Sequence, residues 1–198
     1  LILKNNPKLA KLPRGLCRLE KLTELDLSGL TGLAELPDEI GSLVSLRRLR
    51  FSCISESDRT IMSHTISSLP ASLFTLSSLT DLDVPGLALE GKEAWSPIGQ
   101  LTSLQCLNIS CVNNLESLPD SLFQLQELQR LEFAATAISQ LPGSLGHLCE
   151  LTVLNMTNTP LSSLPDDLFQ LRKLQILALS DTQIAELPDT IGKLCCLE

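Results

Sequence analysis

Leucines recur along the chain at a nearly constant spacing and divide it into units of similar length. Successive unit-opening leucines are 23 to 25 residues apart, except for one interval of 33 residues. These leucines are Leu22, Leu46, Leu79, Leu104, Leu128, Leu151, Leu174 and Leu197. A repeat of this period indicates one supersecondary unit stacked on the next.

The spacing predicts seven full repeats between two incomplete ones. We place a partial repeat at 1–21, full repeats at 22–45, 46–78, 79–103, 104–127, 128–150, 151–173 and 174–196, and the start of another at 197. Because the chain opens and closes in the middle of a unit, we expect a single-domain fragment of a longer solenoid.

Each unit begins with the alternating pattern of a short strand. In "LQRLEF" (128–133), Leu131 and Phe133 alternate with polar residues, so both point to one side of the strand. Strands of successive units can then pair in parallel and bury these residues in a common core.

The rest of each unit reads as a turn followed by a short helix. Thr136, Thr159, Thr182 and Asn6 follow the strands, where a short polar side chain can hydrogen-bond to the backbone. A proline then fixes the backbone at the start of a helical turn. The leucine or isoleucine three residues after it closes the core from the opposite side.

The full unit approximates L-x-x-L-x-L-x-x-T-x-I-x-x-L-P-x-x-I-x-x-L-x-x and resembles the leucine-rich repeat family over essentially the whole chain. The resemblance implies an α/β fold, a right-handed horseshoe solenoid with a concave parallel sheet and short helical turns on the convex side. Units such as "NTPLSSLP" resemble the repeats of plant intracellular immune receptors. They are also similar to the leucine-rich regions of type III effectors from plant-associated bacteria.

Charge and composition exclude several other classes of function. The net charge of −8 argues against nucleic acid as a partner, because phosphate contacts need clustered Lys and Arg. No apolar run approaches the ~18 residues of a membrane span. Cys53 and Cys111, like Cys149 and Cys195, share a repeat position but lie two repeats apart, too far to bridge. We therefore expect free thiols and a reducing compartment.

The chain carries no recognisable catalytic or metal-binding constellation. His64 and His147 are its two histidines, they are far apart in repeat number, and His147 is expected to be exposed in a convex turn. No Cys/His spacing is typical of zinc, and no glycine-rich loop follows a strand. We expect neither catalysis nor a cofactor in this segment.

Strand residues that do not point inward should form a concave binding face. The predicted site residues are Arg48, Arg50, Asp81, Asp83, Asn108, Arg130, Glu132, Val153, Asn155 and Ile176. In the N-terminal half, the sign of the charge alternates from one strand to the next. These charges either neutralise each other as ladders of ion pairs across adjacent strands or form a binding surface. The apolar C-terminal end favours either a partner site or contact with further repeats.

Two neighbouring units depart from the repeat and predict a lobe on one rim. The unit from Leu46 carries the extra segment "SESDRTIMSHT" (55–65), and Ala94 and Trp95 replace Leu-Pro in the next unit. Insertions in repeats map to loops on one face, often the binding face. The predicted lobe residues are Arg59, His64, Lys92, Glu93 and Trp95. Trp95 either contacts a partner or fills the space of the missing leucine.

These observations predict a cytoplasmic module that recognises another protein through its concave sheet and one loop rim, in the host cytosol if the protein is a secreted bacterial effector. One alternative is the substrate-recruiting part of a larger enzyme, such as a ubiquitin ligase effector. Another is an arm that packs on a neighbouring domain of its own chain. Asn108 and Asn155 match the glycosylation pattern, but both are expected on the concave face and unmodified.

Overall fold

The repeats form a single stack of parallel strands and short helices. The computed structural model describes residues 1–52, 66–87, 89 and 92–198. Seven three-residue strands pair in chain order in one parallel sheet. They are β1 (Glu24–Asp26), β2 (Arg48–Arg50), β3 (Asp81–Asp83), β4 (Cys106–Asn108), β5 (Arg130–Glu132), β6 (Val153–Asn155) and β7 (Ile176–Ala178).

The parallel sheet confirms the predicted architecture. The repeat spacing predicts about eight short strands, and the described chain forms seven. In place of an eighth strand, the partial first unit contributes an isolated parallel bridge between Ile2 and Asp26. Neighbouring strands are joined by crossovers, and such connections in a parallel sheet are right-handed.

A 3₁₀ helix follows each strand on the convex side, and one more precedes β1. The helices are η1 (Arg14–Arg18), η2 (Ile40–Ser42), η3 (Ala71–Thr75), η4 (Lys92–Gln100), η5 (Asp120–Gln124), η6 (Gly143–His147), η7 (Asp166–Gln170) and η8 (Asp189–Lys193). In six of them the predicted proline is the residue immediately before the helix, with φ between −65° and −76°. Its carbonyl accepts the first helical hydrogen bond, as from Leu122 N to Pro119 O at 3.0 Å.

The core lies between the sheet and these helices and is filled mainly by leucine. The central residue of every strand from β1 to β6 is a buried leucine, and Leu131 of β5 is fully buried. Phe51, Phe133 and Met156 occupy the second inward position of their units and are also fully buried.

The predicted turn residues close the strand ends as expected. The hydroxyls of Thr136, Thr159 and Thr182 each donate to the carbonyl three residues earlier, at 2.9, 2.7 and 2.9 Å. The Asn6 amide does the same to Leu3 O at 2.8 Å. These bonds satisfy backbone carbonyls that leave the sheet.

One residue in each described turn adopts the left-handed backbone conformation. It is glycine in two repeats, Gly29 and Gly86, with φ of 72° and 74°. In the others it is Asn5, Cys111, Ala135, Asn158 or Asp181, with φ between 54° and 63°. Asparagine and aspartate tolerate this region, whereas alanine and cysteine are strained in it.

Candidate concave binding face

Two rows of outward-facing side chains cross the sheet in register. The first row is Glu24, Arg48, Asp81, Cys106, Arg130, Val153 and Ile176, and the second is Asp26, Arg50, Asp83, Asn108, Glu132, Asn155 and Ala178. These rows are the ones that the repeat phase predicts. All ten predicted face residues therefore lie on one surface.

Charged residues of this face pair diagonally or along a strand. Arg50 Nη1 lies 3.8 Å from Glu24 Oε1, which is on the neighbouring strand and in the other row. Arg130 lies 3.1 Å from Glu132 of the same strand. Among the described residues, no ion pair joins charges directly opposite each other in the register. Arg50 and Asp83, which are opposite each other, attract without forming such a pair.

Asparagine side chains supply the lateral connections instead. Asn108 Nδ2 donates to Asp83 Oδ1 at 2.9 Å, and Asn155 Nδ2 donates to Glu132 Oε2 at 3.4 Å. Their Oδ1 atoms accept the backbone N–H of Ser110 at 3.0 Å and of Thr157 at 3.1 Å. Each asparagine thus has both ends of its amide engaged inside the sheet.

Asp83 of β3 is a half-buried carboxylate of this face. Burial raises the pKa of its carboxyl above the ordinary value. The hydrogen bond from Asn108 and the positive charge of Arg50 oppose the rise, whereas Glu132 and Asp26 add to it. Burial outweighs the stabilising contacts, so the ionised Asp83 is held at a cost.

Cys106 is the potential nucleophile on the concave face, and its surroundings do not activate it. Burial and the negative charge of Asp81 raise the pKa of its thiol. Reactive cysteines have lowered pKa values, because the thiolate is the nucleophile. This environment suits a structural thiol.

A shallow concavity of about 490 Å³ lies over the N-terminal part of the sheet. Its floor comes from β1 to β5 and includes Asp26, Arg50, Asp81, Asp83, Cys106, Asn108, Arg130 and Glu132. Residues just beyond the strand ends, which the sequence reading did not select, complete it: Lys4, Ser28 and Ser52. The two-residue alternation that assigned the other rows also places these three residues on the concave side.

The C-terminal end of the face exposes less apolar surface than the sequence predicts. Val153 is only 9% exposed, so it offers little surface to a partner. Ile176 is 49% exposed and is the main apolar contact available there. Its exposure reflects the position of β7 at the edge of the described sheet.

The predicted rim lobe is described only at its C-terminal part. Arg59, His64 and the rest of 55–65 lie outside the described residues, as does the side chain of Lys92. Glu93 is exposed at the start of η4. Trp95 is only 1% exposed and lies in the core, so it fills the space of the missing leucine and is not a rim contact.

The remaining candidate groups for chemistry are histidine and cysteine side chains. No cluster of three or more His, Cys, Asp or Glu side chains in the described part of the chain could hold a metal ion. His147 is exposed in η6, as expected. Six described cysteines, Cys17, Cys106, Cys111, Cys149, Cys195 and Cys196, have free thiols, and Cys53 lies outside the described residues. None of the described helices is both long and apolar enough to span a bilayer.

Comparison with known proteins agrees with this geometry. Residues 102–161 match the family model described as leucine rich repeat. A leucine-rich repeat protein of Leptospira interrogans superposes with a TM-score of 0.73 at 27% identity, covering 96% of this chain and 50% of that one. The chain is built of leucine-rich repeats. Solenoids of this kind present extended concave surfaces that are typical of protein recognition.

Two further similarities concern plant proteins. The chain is 32% identical to the TMV resistance protein N of Nicotiana glutinosa over 158 residues, which is 79% of this chain and 13% of that protein. The plant peptide hormone receptor RGFR1, solved in complex with RGF2, aligns with a TM-score of 0.65 and 28% identity over 91% of this chain and 32% of the receptor. These leucine-rich repeats therefore span only a small part of each plant protein.

Proposed function

We propose that this chain is a recognition module that binds another protein through the concave face of its sheet. The observation that carries the proposal is an open, registered array of polar and charged side chains over a concavity of about 490 Å³. Loops and helices of the described chain lie at its edges and on the other side of the sheet. Arg48, Arg130 and Ile176 of this face are exposed, whereas Val153 is buried.

The charges on the face favour a partner that brings charges of its own. Arg50 and Arg130 have internal acidic partners, whereas Asp81 and Asp83 have no ion pair among the described residues. Arg48 is exposed in the first row and likewise forms none there. A polypeptide with side chains of both signs can satisfy these groups, and Ile176 offers it an apolar contact.

The similarities support a polypeptide as the ligand and a larger protein as the context. RGFR1 is described as a peptide hormone receptor in complex with RGF2. The relative from Nicotiana glutinosa is named a resistance protein. We propose that the contact residues are Arg48, Arg50, Asp81, Asp83, Asn108, Arg130, Glu132, Val153, Asn155 and Ile176, in the leucine-rich region of an immune-receptor-type or effector protein.

The proposed compartment is intracellular, and the engaged asparagines support it. A glycan on Asn108 or Asn155 would have to be attached to the Nδ2 atom that now donates to Asp83 or Glu132. It would also project over the proposed binding face. Expression through a secretory pathway followed by mass spectrometry should find both sites unmodified, and a glycan at either would argue for a different role of this face.

A binding experiment with matched substitutions on the two sides tests the proposed surface. Short random peptides displayed on phage are selected against the wild-type chain, and the affinities of the enriched peptides are measured by biolayer interferometry. Arg48→Ala and Ile176→Ser on the concave face should weaken binding about tenfold or more, about 1.4 kcal/mol. The controls are Arg18→Ala in η1 and Val44→Ser, both at exposed residues off the concave face. Equal losses in both sets, or losses in the controls alone, would refute the assignment.

A further inference from the structure

A groove of about 320 Å³ lies between the first two turns on the convex side of the stack. One wall comes from residues 11–14, at the start of η1, and the other from residues 35–38, just before η2. Leu12 and Leu36 are at most 7% exposed and form its base together with Pro37. The groove is therefore a feature of the junction between two units and not of an end of the stack.

The two walls of this convex groove carry opposite charges. Lys11 and Arg14 stand on the first wall, and Glu35 and Asp38 stand on the second. In each unit these are the residue two before the proline and the residue one after it. In the later units the same positions, counted from Trp95 where the proline is missing, read Ser68 and Ala71, Glu93 and Ser96, Ser117 and Asp120, Gln140 and Gly143, Ser163 and Asp166, and Glu186 and Asp189. Only the first junction thus places two bases opposite two acids.

The charged side chains of the groove remain available to a ligand. Arg14 Nη1 lies 3.5 Å from Glu39 Oε1, and the Arg14 side chain is still 82% exposed. An exposed ion pair of this kind is weak, so a ligand can replace Glu39. Lys11, Glu35 and Asp38 are exposed and form no ion pair with other described residues. The walls therefore face each other without neutralising each other.

The backbone holds both walls in place. Pro13 precedes η1 with φ of −71° and fixes the direction of the first wall. In the second wall, the carbonyl of Pro37 accepts the N–H of Ile40 at 3.0 Å. Ser72 Oγ of the next turn donates to Asp38 O at 2.5 Å. Charges on preformed walls need little ordering when a ligand binds, which lowers the cost of binding.

An extended polypeptide segment matches two parallel walls of opposite charge. Successive side chains of an extended chain point to opposite sides. A segment in which acidic and basic residues alternate therefore directs its acids to one wall and its bases to the other. Two acids separated by one residue lie about 6.6 Å apart, within reach of the long side chains of Lys11 and Arg14. A segment with charges of one sign would be attracted by one wall and repelled by the other.

We propose that the convex groove binds an extended polypeptide segment in which acidic and basic side chains alternate. The acids of the segment pair with Lys11 and Arg14, and its bases pair with Glu35 and Asp38. The groove lies on the opposite side of the sheet from the concave face. The proposal therefore goes beyond the proposed function and does not rest on it.

Two peptides of equal composition test the charge pattern. Fluorescein-labelled peptides of sequence Glu-Lys-Glu-Lys-Glu-Lys and Glu-Glu-Glu-Lys-Lys-Lys are titrated with the wild-type chain, and binding is measured by fluorescence anisotropy at low ionic strength. The alternating peptide should bind at least about fivefold more tightly than the block peptide, and added salt should weaken its binding because exposed charges are screened.

Reversing the charge of one wall should abolish this preference, and reversing both should restore it. Lys11→Glu combined with Arg14→Glu makes both walls acidic and should weaken binding of the alternating peptide at least about tenfold. Addition of Glu35→Lys and Asp38→Lys exchanges the signs of the two walls. A shift of the peptide by one residue then restores every ion pair, so this fourfold variant should bind the alternating peptide as wild type does.

The matched control is Arg18→Glu combined with Lys21→Glu. It makes the same change in net charge at exposed residues of the same unit that do not line the groove, and it should leave binding nearly unchanged. Equal affinities of wild type for the two peptides would overturn the proposal whether or not a variant folds. Binding that survives the reversal of one wall, or that the control loses equally, would place the peptide elsewhere. A dimer in light scattering that dissociates when one wall is reversed would assign the groove to a second copy instead.

Discussion

At the scale of single residues, position within the strand decides whether a side chain supports the fold or faces a partner. Leu131 is fully buried, whereas its neighbour Arg130 is exposed and paired with Glu132. Leu131→Ala should lower the free energy of unfolding by about 2–5 kcal/mol, because it leaves a cavity. Arg130→Ala should cost less than about 1 kcal/mol, because an exposed ion pair contributes little. Urea denaturation of both variants measures the difference, and equal losses would contradict the strand phase.

Ala135 gives a second prediction, because its φ of 54° is unfavourable for a residue with a Cβ atom. Ala135→Gly should raise the free energy of unfolding, or leave it unchanged, because relief of about 1–2 kcal/mol of backbone strain offsets the entropy cost of glycine. Ala134→Gly is the matched control, since Ala134 is not in the left-handed region and has no strain to release. The control should lose stability by roughly 0.5–1 kcal/mol. Chemical denaturation that ranks the two variants in the opposite order would remove the strain argument.

Asp83 gives a pH-dependent prediction, because its folded-state pKa is raised, chiefly by burial. A carboxyl with a raised folded pKa stabilises the fold below its unfolded pKa, and that contribution is lost as pH rises through the folded value. Asp83→Asn removes the charge and can still accept the hydrogen bond from Asn108. It should therefore be more stable than wild type at pH 7, and the gain should shrink as the pH falls through the raised folded pKa and reach its minimum once the pH is below the ordinary aspartate value. Thermal melts across this range check the sign, and a gain that grows toward low pH would contradict it.

At the scale of the repeat, convex turns with glycine at the fourth position after the proline, or after Trp95, pack closely on following turns that have phenylalanine there. The glycines are Gly41, Gly99 and Gly146, and the phenylalanines are Phe74, Phe123 and Phe169. Gly146→Ala should cost about 1–3 kcal/mol, because the added methyl group meets the backbone oxygen of Asp167 and the helices must separate. Gly192→Ala should be neutral or slightly stabilising in the 198-residue chain, because nothing lies within 4 Å of the new atom. Equal losses for the two substitutions in urea denaturation would show that the pairing is not what constrains Gly146.

The sequence predicted the elements of the repeat well, because each rests on a local rule. Alternation placed Leu131 and Phe133 in the core, and the small polar residue after the strand placed Thr136 at a backbone carbonyl. The contacts between repeats were harder to predict from the sequence, because they depend on which atoms of neighbouring repeats meet. The hydrogen bond from Asn108 to Asp83 was missed for this reason. The alternation of glycine and phenylalanine is visible in the sequence, but the sequence does not show that each glycine turn packs closely on the phenylalanine turn that follows it. The left-handed conformation of Ala135 gave no sequence signal, because alanine is not a residue that prefers it.

At the scale of the whole molecule, the two neighbouring irregular units form a local departure from an otherwise regular stack. We predict that replacing 55–65 with a short linker leaves the unfolding midpoint nearly unchanged, because the regular units fold without such a segment. The same change should weaken partner binding at least tenfold, about 1.4 kcal/mol, if the segment contributes to the binding rim. The peptides selected on the concave face supply the binding assay.

The outcome of that replacement distinguishes three roles for the segment. Loss of binding with an unchanged midpoint supports a rim that works with the concave face. Unchanged affinity would show that the rim is not a binding site, whereas loss of the fold would show that the segment is part of the core. Trp95 already belongs to the core, so Trp95→Ala should lower stability and is not a substitute for this test.

The pairing of glycine and phenylalanine turns limits how a gene for such a protein can grow or shrink. Duplication or deletion of a single repeat would place two phenylalanine turns or two glycine turns side by side. The first arrangement crowds the stack, and the second leaves a void in it. Unequal recombination that adds or removes two repeats at a time preserves the order at every junction. Length variants of this solenoid are therefore expected to differ by even numbers of repeats, so that the heritable module is the pair.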